Sequence, residues 1–388
     1  MAAGRRFEYY LRSQSKNGNR LREERSISER IGVDSKDTVR VTEESLRQTV
    51  AAWFEKMGES AEDAQQGADV LVAADLRGVE FQGVSTHVQG YTKAYRKGRF
   101  KPMAQWRVVH ETAATATIDA DRGLEAIQGA KHMEIAIDKA RNVGVGVVTV
   151  FNGGDSGGIG YYPMLAVQQD MIGMFTTGHP PRVLPAYGAA YRLGTNPIAV
   201  AAPTRNEPPF LFDVATSATA AGMVRLATRY NIPIRPGWIA DADGVPIMQE
   251  TQAPEEGDYR LLPFGGTLEG GTHKGYGFAL VAEILSTMLS GALPAMVTGG
   301  DGFNHYMAAY NIASFTNVET FKDNMDTMLR TLRETKPAPG HERVAYPGLG
   351  AYEAEQYRRA NGIPIHKGVF QGLQDLCKEL SIPALKTL

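Results

Sequence analysis

Leu193-Gly194-Thr195-Asn196-Pro197 and, further on, Phe212-Asp213-Val214-Ala215-Thr216-Ser217 decide how this chain is read. Gly-Thr-Asn-Pro is turn chemistry set against the apolar run Ile198-Ala199-Val200-Ala201-Ala202, so it predicts a loop entering a buried strand. Asp-x-Ala-Thr-Ser closes the next apolar run, Pro209-Phe210-Leu211-Phe212. It puts one acid and two hydroxyls where a strand leaves a sheet, a common place for ligand groups. Each motif alone has a plain structural reading, a turn and a helix cap.

Outward from these motifs the pattern alternates between helix and strand. Thr42 caps a segment with Leu46, Val50, Trp53 and Phe54 on one face, and Ser60 with Asp63 reads as a capping box for the next helix, which runs to Leu76. A helix over about 126–141 feeds Val143–Val150, a β-branched run whose continuity predicts burial on both faces. Met171–Thr176 and Ile198–Ala202 read as further core strands. An apolar helix is expected over 275–289, opened by Lys274 and closed by Gly291, and helices over 317–334 and 369–380 end the series. Residues 250–271 read as a loop beside the site. The domains expected are a polar, Arg-rich extension over 1–38, a mainly helical unit from 39–114 with 311–388, and a central α/β unit over 115–310.

Composition narrows the classes. The chain has 388 residues, 43% of them hydrophobic, enough for one large or two ordinary domains. A net charge of −2 gives no global field toward nucleic acid or membrane. The Arg-rich start is offset by Glu23, Glu24 and Glu29, so it reads as a solvated or partner-contacting arm. A single cysteine, Cys377, fits a reducing compartment. No apolar run has the length of a bilayer span, and no signal-peptide core is evident. The expectation is a soluble, cytoplasmic protein. The eight histidines show no metal-ligand spacing, so no metal is expected. Gly-x-Ser-x-Gly is absent, which gives no support to a serine hydrolase.

Beyond the opening motifs, several stretches fall in a consistent order: Asp75-Leu76-Arg77-Gly78, Val145–Val150, Gly157–Tyr162, Met171-Ile172-Gly173, Gly237-Trp238 with Asp241-Ala242-Asp243-Gly244, and Leu262-Pro263 followed by Lys274-Gly275-Tyr276-Gly277. In that order, from about residue 40 to about residue 350, the chain resembles the type-2 malate/L-lactate dehydrogenase family, which includes ureidoglycolate and Δ1-piperideine-2-carboxylate reductases. The resemblance implies an NAD(P)-dependent enzyme on an α/β, family-specific non-Rossmann dinucleotide-binding fold. It also implies a homodimer with its site near the interface. Gly157, Asp213, Val214, Ala215, Thr216, Ser217 and Lys274 are the residues it assigns to the dinucleotide. A lysine at a helix start also suits an anionic ligand.

Four departures from the family pattern bear on chemistry. The loop Asn152-Gly153-Gly154-Asp155-Ser156-Gly157-Gly158 lets backbone pass close to a flat ligand or a phosphate, but its spacing is not G-x-G-x-x-G. In the family this loop reads Ser-Asn-His-Phe-Gly, and its histidine is the proposed proton carrier; here Asp155 takes that place. Histidine titrates near neutrality, whereas an exposed Asp is ionised at pH 7 and acts as an acid only if burial raises its pKa. Near Gly83 the family's Ser-His pair is replaced by Phe81 and Gln82. Gln82 offers hydrogen bonds but no proton exchange, and His87 lies one helical turn beyond Gly83. Thr177-Gly178-His179-Pro180-Pro181-Arg182 makes His179 the leading relocated acid/base and Arg182 a partner for a substrate carboxylate. Finally, Ala221-Gly222-Met223 stands where the family has Arg-Gly-Lys, with Arg225 nearby, which leaves the choice between NAD and NADP open.

These readings lead to an oxidoreductase passing a hydride between a nicotinamide and a small 2-hydroxy acid, 2-oxo acid or cyclic imine. Asp155 or His179 would handle the proton, with Gln82, His87 and Arg182 as further candidates. The alternatives are a lyase, hydrolase or isomerase on the same scaffold, since a fold does not fix a chemistry, or a catalytically silent binding protein.

Overall fold

The computed structural model describes residues 35–255 and 257–388. All but the last four positions of the expected 1–38 extension therefore lie outside the described residues. After a short turn, strand β1 (Thr38–Val41) leads into helices α1 (Glu43–Lys56) and α2 (Ala61–Leu76). Both start at the expected caps: the Thr42 side chain accepts from the Ser45 N–H, and the Ser60 side chain from the Asp63 N–H. A single turn, Glu80–Gln82, then leads into α3 (Val84–Arg96).

Strands β2 (Arg107–Glu111) and β3 (Thr115–Asp119) form a hairpin, so the main sheet begins several residues before position 115. Helix α4 (Glu125–Val143) crosses to β4 (Val145–Gly153), which lies parallel to β3. The expected strand over 143–150 is thus shifted. Gly144 adopts a left-handed conformation that stops α4, and Val143 ends exposed on the helix rather than in the sheet. Burial in β4 alternates at first, with Gly146, Val148 and Val150 buried and Val145 and Val147 half-buried. Gly146 lets helix and strand touch, because a Cβ there would fall 1.9 Å from the Ala136 carbonyl oxygen.

Helix α5 (Tyr161–Val167), β5 (Met171–Gly178), β6 (Ile198–Ala202), β7 (Phe210–Val214) and α6 (Ala221–Tyr230) follow. The small hairpin β8 (Ile239–Ala240) and β9 (Arg260–Leu261) follows, and its second strand lies within the expected loop 250–271. Helix α7 runs over Thr272–Ser286 rather than 275–289, because Gly271 caps it in a left-handed conformation; a short turn, Met288–Ser290, carries the chain to Gly291. After α8 (Ala295–Thr298) comes β10 (Phe303–Asn311), then α9 (Val318–Arg333), α10 (Leu349–Asn361), β11 (Ile363–His366) and α11 (Lys367–Leu380).

The seven-stranded sheet has the order β2-β3-β4-β10-β5-β6-β7, and only β3 and β4 are parallel. This is not the parallel sheet of a Rossmann domain. Strand β10 is inserted between β4 and β5 and pairs with both along most of its length. The two ends of the chain meet in the antiparallel pair β1–β11. One continuous core joins Trp53, Phe54 and Leu71 of the N-terminal helices to Ile118, Val150 and Phe175 of the sheet. Among the described residues, no helix is long and apolar enough to cross a membrane.

Candidate active site

A cleft of about 920 Å³ opens where the loops after β4, β5 and β7 converge, within the usual size of small-molecule sites. One wall is the glycine loop with Asp155 and Gly157. Asp213, Val214, Ala215 and Ser217 form another part of the lining, and Thr177, His179 and Phe303 also line the cleft.

The stretch 193–197 supports this arrangement. Asn196 is fully buried. Its side-chain oxygen accepts the His179 N–H at 2.9 Å, while its amide donates to the Ala279 carbonyl at 3.0 Å and to Glu283 Oε2 at 2.9 Å. The Thr195 carbonyl accepts from both the Thr216 N–H (2.9 Å) and its hydroxyl (3.0 Å). Gly194 is needed because a Cβ there would meet His179 at 2.4 Å. The two motifs thus tie β5, β7 and α7 together behind His179.

Asp155 sits in the glycine loop with its Oδ1 accepting from the Gly157 N–H (2.8 Å) and the Tyr91 hydroxyl (3.0 Å). Burial pushes this carboxyl up, but the His87 and His179 rings, the Gly157 N–H and the Tyr91 hydroxyl outweigh it, and the pKa lies below the ordinary value. The condition under which Asp155 would act as an acid, a pKa raised by burial, is therefore not met. Burial drives His179 down to about 4, opposed by Asp155 and by the Pro180 carbonyl. His179 Nδ1 lies 3.1 Å from that carbonyl. This fixes the tautomer with the proton on Nδ1 and leaves Nε2 as the lone-pair nitrogen. The ring packs edge-on against Phe303 at 4.5 Å.

The other expected residues divide. Gln82 lines the cleft, and His87 stands behind it, its Nε2 3.2 Å from Gln82 Oε1 and its ring 4.8 Å from that of Tyr91. Burial lowers the His87 pKa, against the pull of Asp155. Arg182 and Lys274 are exposed and do not line the cleft. The N–H groups of Arg182 and Val183 both bond the Leu193 carbonyl at 2.7 Å, where the buried Val183 and Leu193 pair in an antiparallel bridge, and Lys274 is the third residue of α7. Thr216 is buried, its hydroxyl spent on Thr195. Asp213 Oδ2 accepts the Gly160 N–H at 2.8 Å. The protein around Asp213 raises its carboxyl to about 6, although the residue is open to solvent on the cleft side; it is ionised at neutral pH.

Residues not singled out from the sequence also shape the site. Tyr91 follows His87 by one helical turn, a spacing that places both on one face of α3. Arg235 and Trp238 line the cleft, and so do Arg47, Arg77 and Arg359. Arg77 and Arg359 pair with Glu355, and Arg47 with Glu43 and Asp69. In all, four arginines in the lining (Arg47, Arg77, Arg235, Arg359) face four carboxylates (Asp69, Asp155, Asp213, Glu355).

Comparison with known proteins gives a consistent result. The family model described as malate/L-lactate dehydrogenase matches residues 41–374. A malate dehydrogenase of Pyrococcus abyssi is 35% identical over 364 residues, 92% of this chain and 99% of that protein. An L-sulfolactate dehydrogenase of Methanocaldococcus jannaschii is 37% identical over 349 residues, 87% of this chain and 96% of that protein. The crystal structure of malate dehydrogenase from Entamoeba histolytica superposes with a TM-score of 0.84 at 31% identity, covering 89% of this chain and 99% of that one.

Proposed function

The chain belongs to the malate/L-lactate dehydrogenase family, and from that premise we propose that it is a nicotinamide-dependent oxidoreductase that interconverts a small 2-hydroxy acid and its 2-oxo acid. The observation that carries this reading is the pair His179 and Asp155 in one cleft, lined by the glycine loop and by Asp213, Val214, Ala215 and Ser217. The relatives named above are all dehydrogenases, so the hydride reading is preferred to a lyase, hydrolase or isomerase.

The bound nicotinamide supplies the hydride acceptor or donor. The residues present suit a dinucleotide: the cleft is large, glycine backbone lines it, and the Asp213 carboxylate faces open space where hydroxyl groups can donate to it. His179 Nε2 takes the proton of the substrate hydroxyl during oxidation and returns it during reduction. Asp155 stays ionised and stabilises the imidazolium that forms, which replaces the acid or base role considered for it from sequence. Gln82, braced by His87, is placed to donate a hydrogen bond to the substrate oxygen. Arg235 is an exposed arginine in the lining with no ion pair among the described residues. We assign it, rather than Arg182, to the substrate carboxylate.

The equal numbers of arginines and carboxylates leave no net positive charge for an additional phosphate, so NAD is the preferred cofactor. Calorimetric titration should show NADH binding at least about tenfold tighter than NADPH, a difference of roughly 1.4 kcal/mol. Absorbance assays with a panel of 2-oxo acids and cyclic imines would follow. Tighter NADPH binding would overturn the cofactor assignment, and no binding of either would overturn the oxidoreductase.

We further propose a homodimer formed over the exposed apolar face of α7, where Phe278, Val281 and Ile284 continue into Leu289, Leu293 and Val297. The lone thiol Cys377 is free and buried, in keeping with a reducing, cytoplasmic setting.

A further inference from the structure

His305 lies beneath the cleft on β10 and is fully buried. It does not line the cleft. Its Nε2 is 2.9 Å from the Gly154 carbonyl oxygen and its Nδ1 is 3.1 Å from Thr177 Oγ1. A carbonyl only accepts, so Nε2 carries the proton; Nδ1 then accepts from the Thr177 hydroxyl. Burial lowers the pKa of this ring, against Glu125, the Gly154 carbonyl and Asp155, which raise it. The groups facing it are thus Glu125 and His132 from α4 and Asp155 from the loop. One neutral tautomer satisfies both contacts.

Gly154 precedes Asp155, and Thr177 lies two residues before His179. The other contacts of the loop are equally fixed. The Gly154 N–H bonds the Gly123 carbonyl at 2.8 Å, the Asp155 carbonyl accepts from the Ala126 N–H at 3.0 Å, and the Ser156 carbonyl accepts from the Tyr162 hydroxyl at 2.6 Å. Phe303, two residues before His305 on β10, stacks with the His305 ring at 6.5 Å and meets His179 edge-on. We infer that His305 is a positioning residue: its ring bridges the Gly154 carbonyl to the Thr177 hydroxyl and so holds Asp155 and His179 in fixed relation across the cleft. The inference rests on the proposed roles of those two groups.

The test replaces His305 with Gln, Asn and Phe. Glutamine places an amide nitrogen near the Nε2 position and retains the bond to Gly154, asparagine mimics only the Nδ1 side, and phenylalanine fills the space with neither. In the 2-oxo acid reduction assay, kcat should fall at least about tenfold in His305→Phe, which makes neither contact, and by less in His305→Gln and His305→Asn, which each keep one, while KM for the dinucleotide stays within about twofold. The Asn and Gln variants should melt at similar temperatures. Unchanged kcat in His305→Phe, Gln and Asn variants no better than Phe, or losses of kcat that simply follow melting temperature would overturn it. Nitrogen-15 NMR of histidine-labelled protein gives a readout independent of activity. The His305 signal, assigned by its loss in His305→Gln, should report a neutral ring protonated at Nε2 throughout the neutral pH range. An Nδ1-protonated or charged ring overturns the bridge even if no substrate is turned over. An Nε2-protonated ring in a protein that binds no dinucleotide would place the failure in the oxidoreductase reading instead.

Discussion

His179 and Asp155 form an unequal pair, and the inequality sets a pH dependence. With the imidazole pushed down to about 4, the neutral form needed for alcohol oxidation predominates at neutral pH. The kcat/KM for oxidation should therefore stay flat through neutrality and decline only as pH falls toward that value. Reduction needs the imidazolium and should climb as pH falls over the same range. His179→Ala should cost about a hundredfold or more in turnover, and Asp155→Asn at least about tenfold, since removing the carboxylate destabilises the charged ring. Steady-state pH profiles of both variants check this; if neither loses tenfold, the proton-transfer assignment is wrong. Both residues were legible in the sequence as candidates, because His179 and Asp155 occupy motif positions, and both line the cleft. Arg235 and His305 were not. Arg235 stands two residues before the motif Gly237-Trp238 but is not part of it, and His305 stands in an apolar strand, where a lone histidine reads as a core residue. Only its hydrogen bonds in the folded sheet reveal that it joins the glycine loop to the end of β5.

At the level of elements, the connection between β6 and β7 is held by α9. Asp326 is buried, and its carboxylate accepts the backbone N–H groups of Arg205 (3.0 Å), Asn206 (2.9 Å) and Glu207 (3.2 Å). Burial raises the carboxyl, but the Asn206 amide and these N–H groups hold it below its ordinary value. Asp326→Ala leaves several donors without a partner and should cost about 2 kcal/mol. A depressed carboxyl stabilises above its unfolded-state pKa and loses that contribution as pH falls through its folded-state value. The gap between wild type and variant in thermal melts should therefore be full at neutral pH and narrow in acid. Helices α1, α2, α4, α7, α9 and α11 and strands β4, β5 and β6 followed from caps and apolar period, since those signals are local, whereas α3, α5, α6, α10 and the central strand β10 were not among the elements expected. The shifted starts of β4 and α7 were harder to place because Gly144 and Gly271 adopt left-handed caps, which the apolar run alone does not mark.

At the level of the whole molecule, the described residues leave an exposed apolar row on α7 that no other element covers. The opposite face of the helix packs inward through Gly275, Ala279, Ala282 and Ser286, so the exposed residues contribute little to the fold of one subunit. Ile284→Glu should leave the melting transition nearly unchanged at low protein concentration yet convert a dimer to a monomer in light scattering. A dimer that survives this substitution would place the interface elsewhere.

The insertion of β10 between β4 and β5 also sets an order of events during synthesis. When the ribosome has made residues up to His179, both proton-handling groups exist, but the strand that lies between their positions has not been translated. Its pairing with β5 must wait for the whole segment from His179 to Gly302, and closing so long a loop is slow compared with forming the local helices. The nascent chain can thus build its N-terminal helices early, but the cleft comes into existence only near the end of translation.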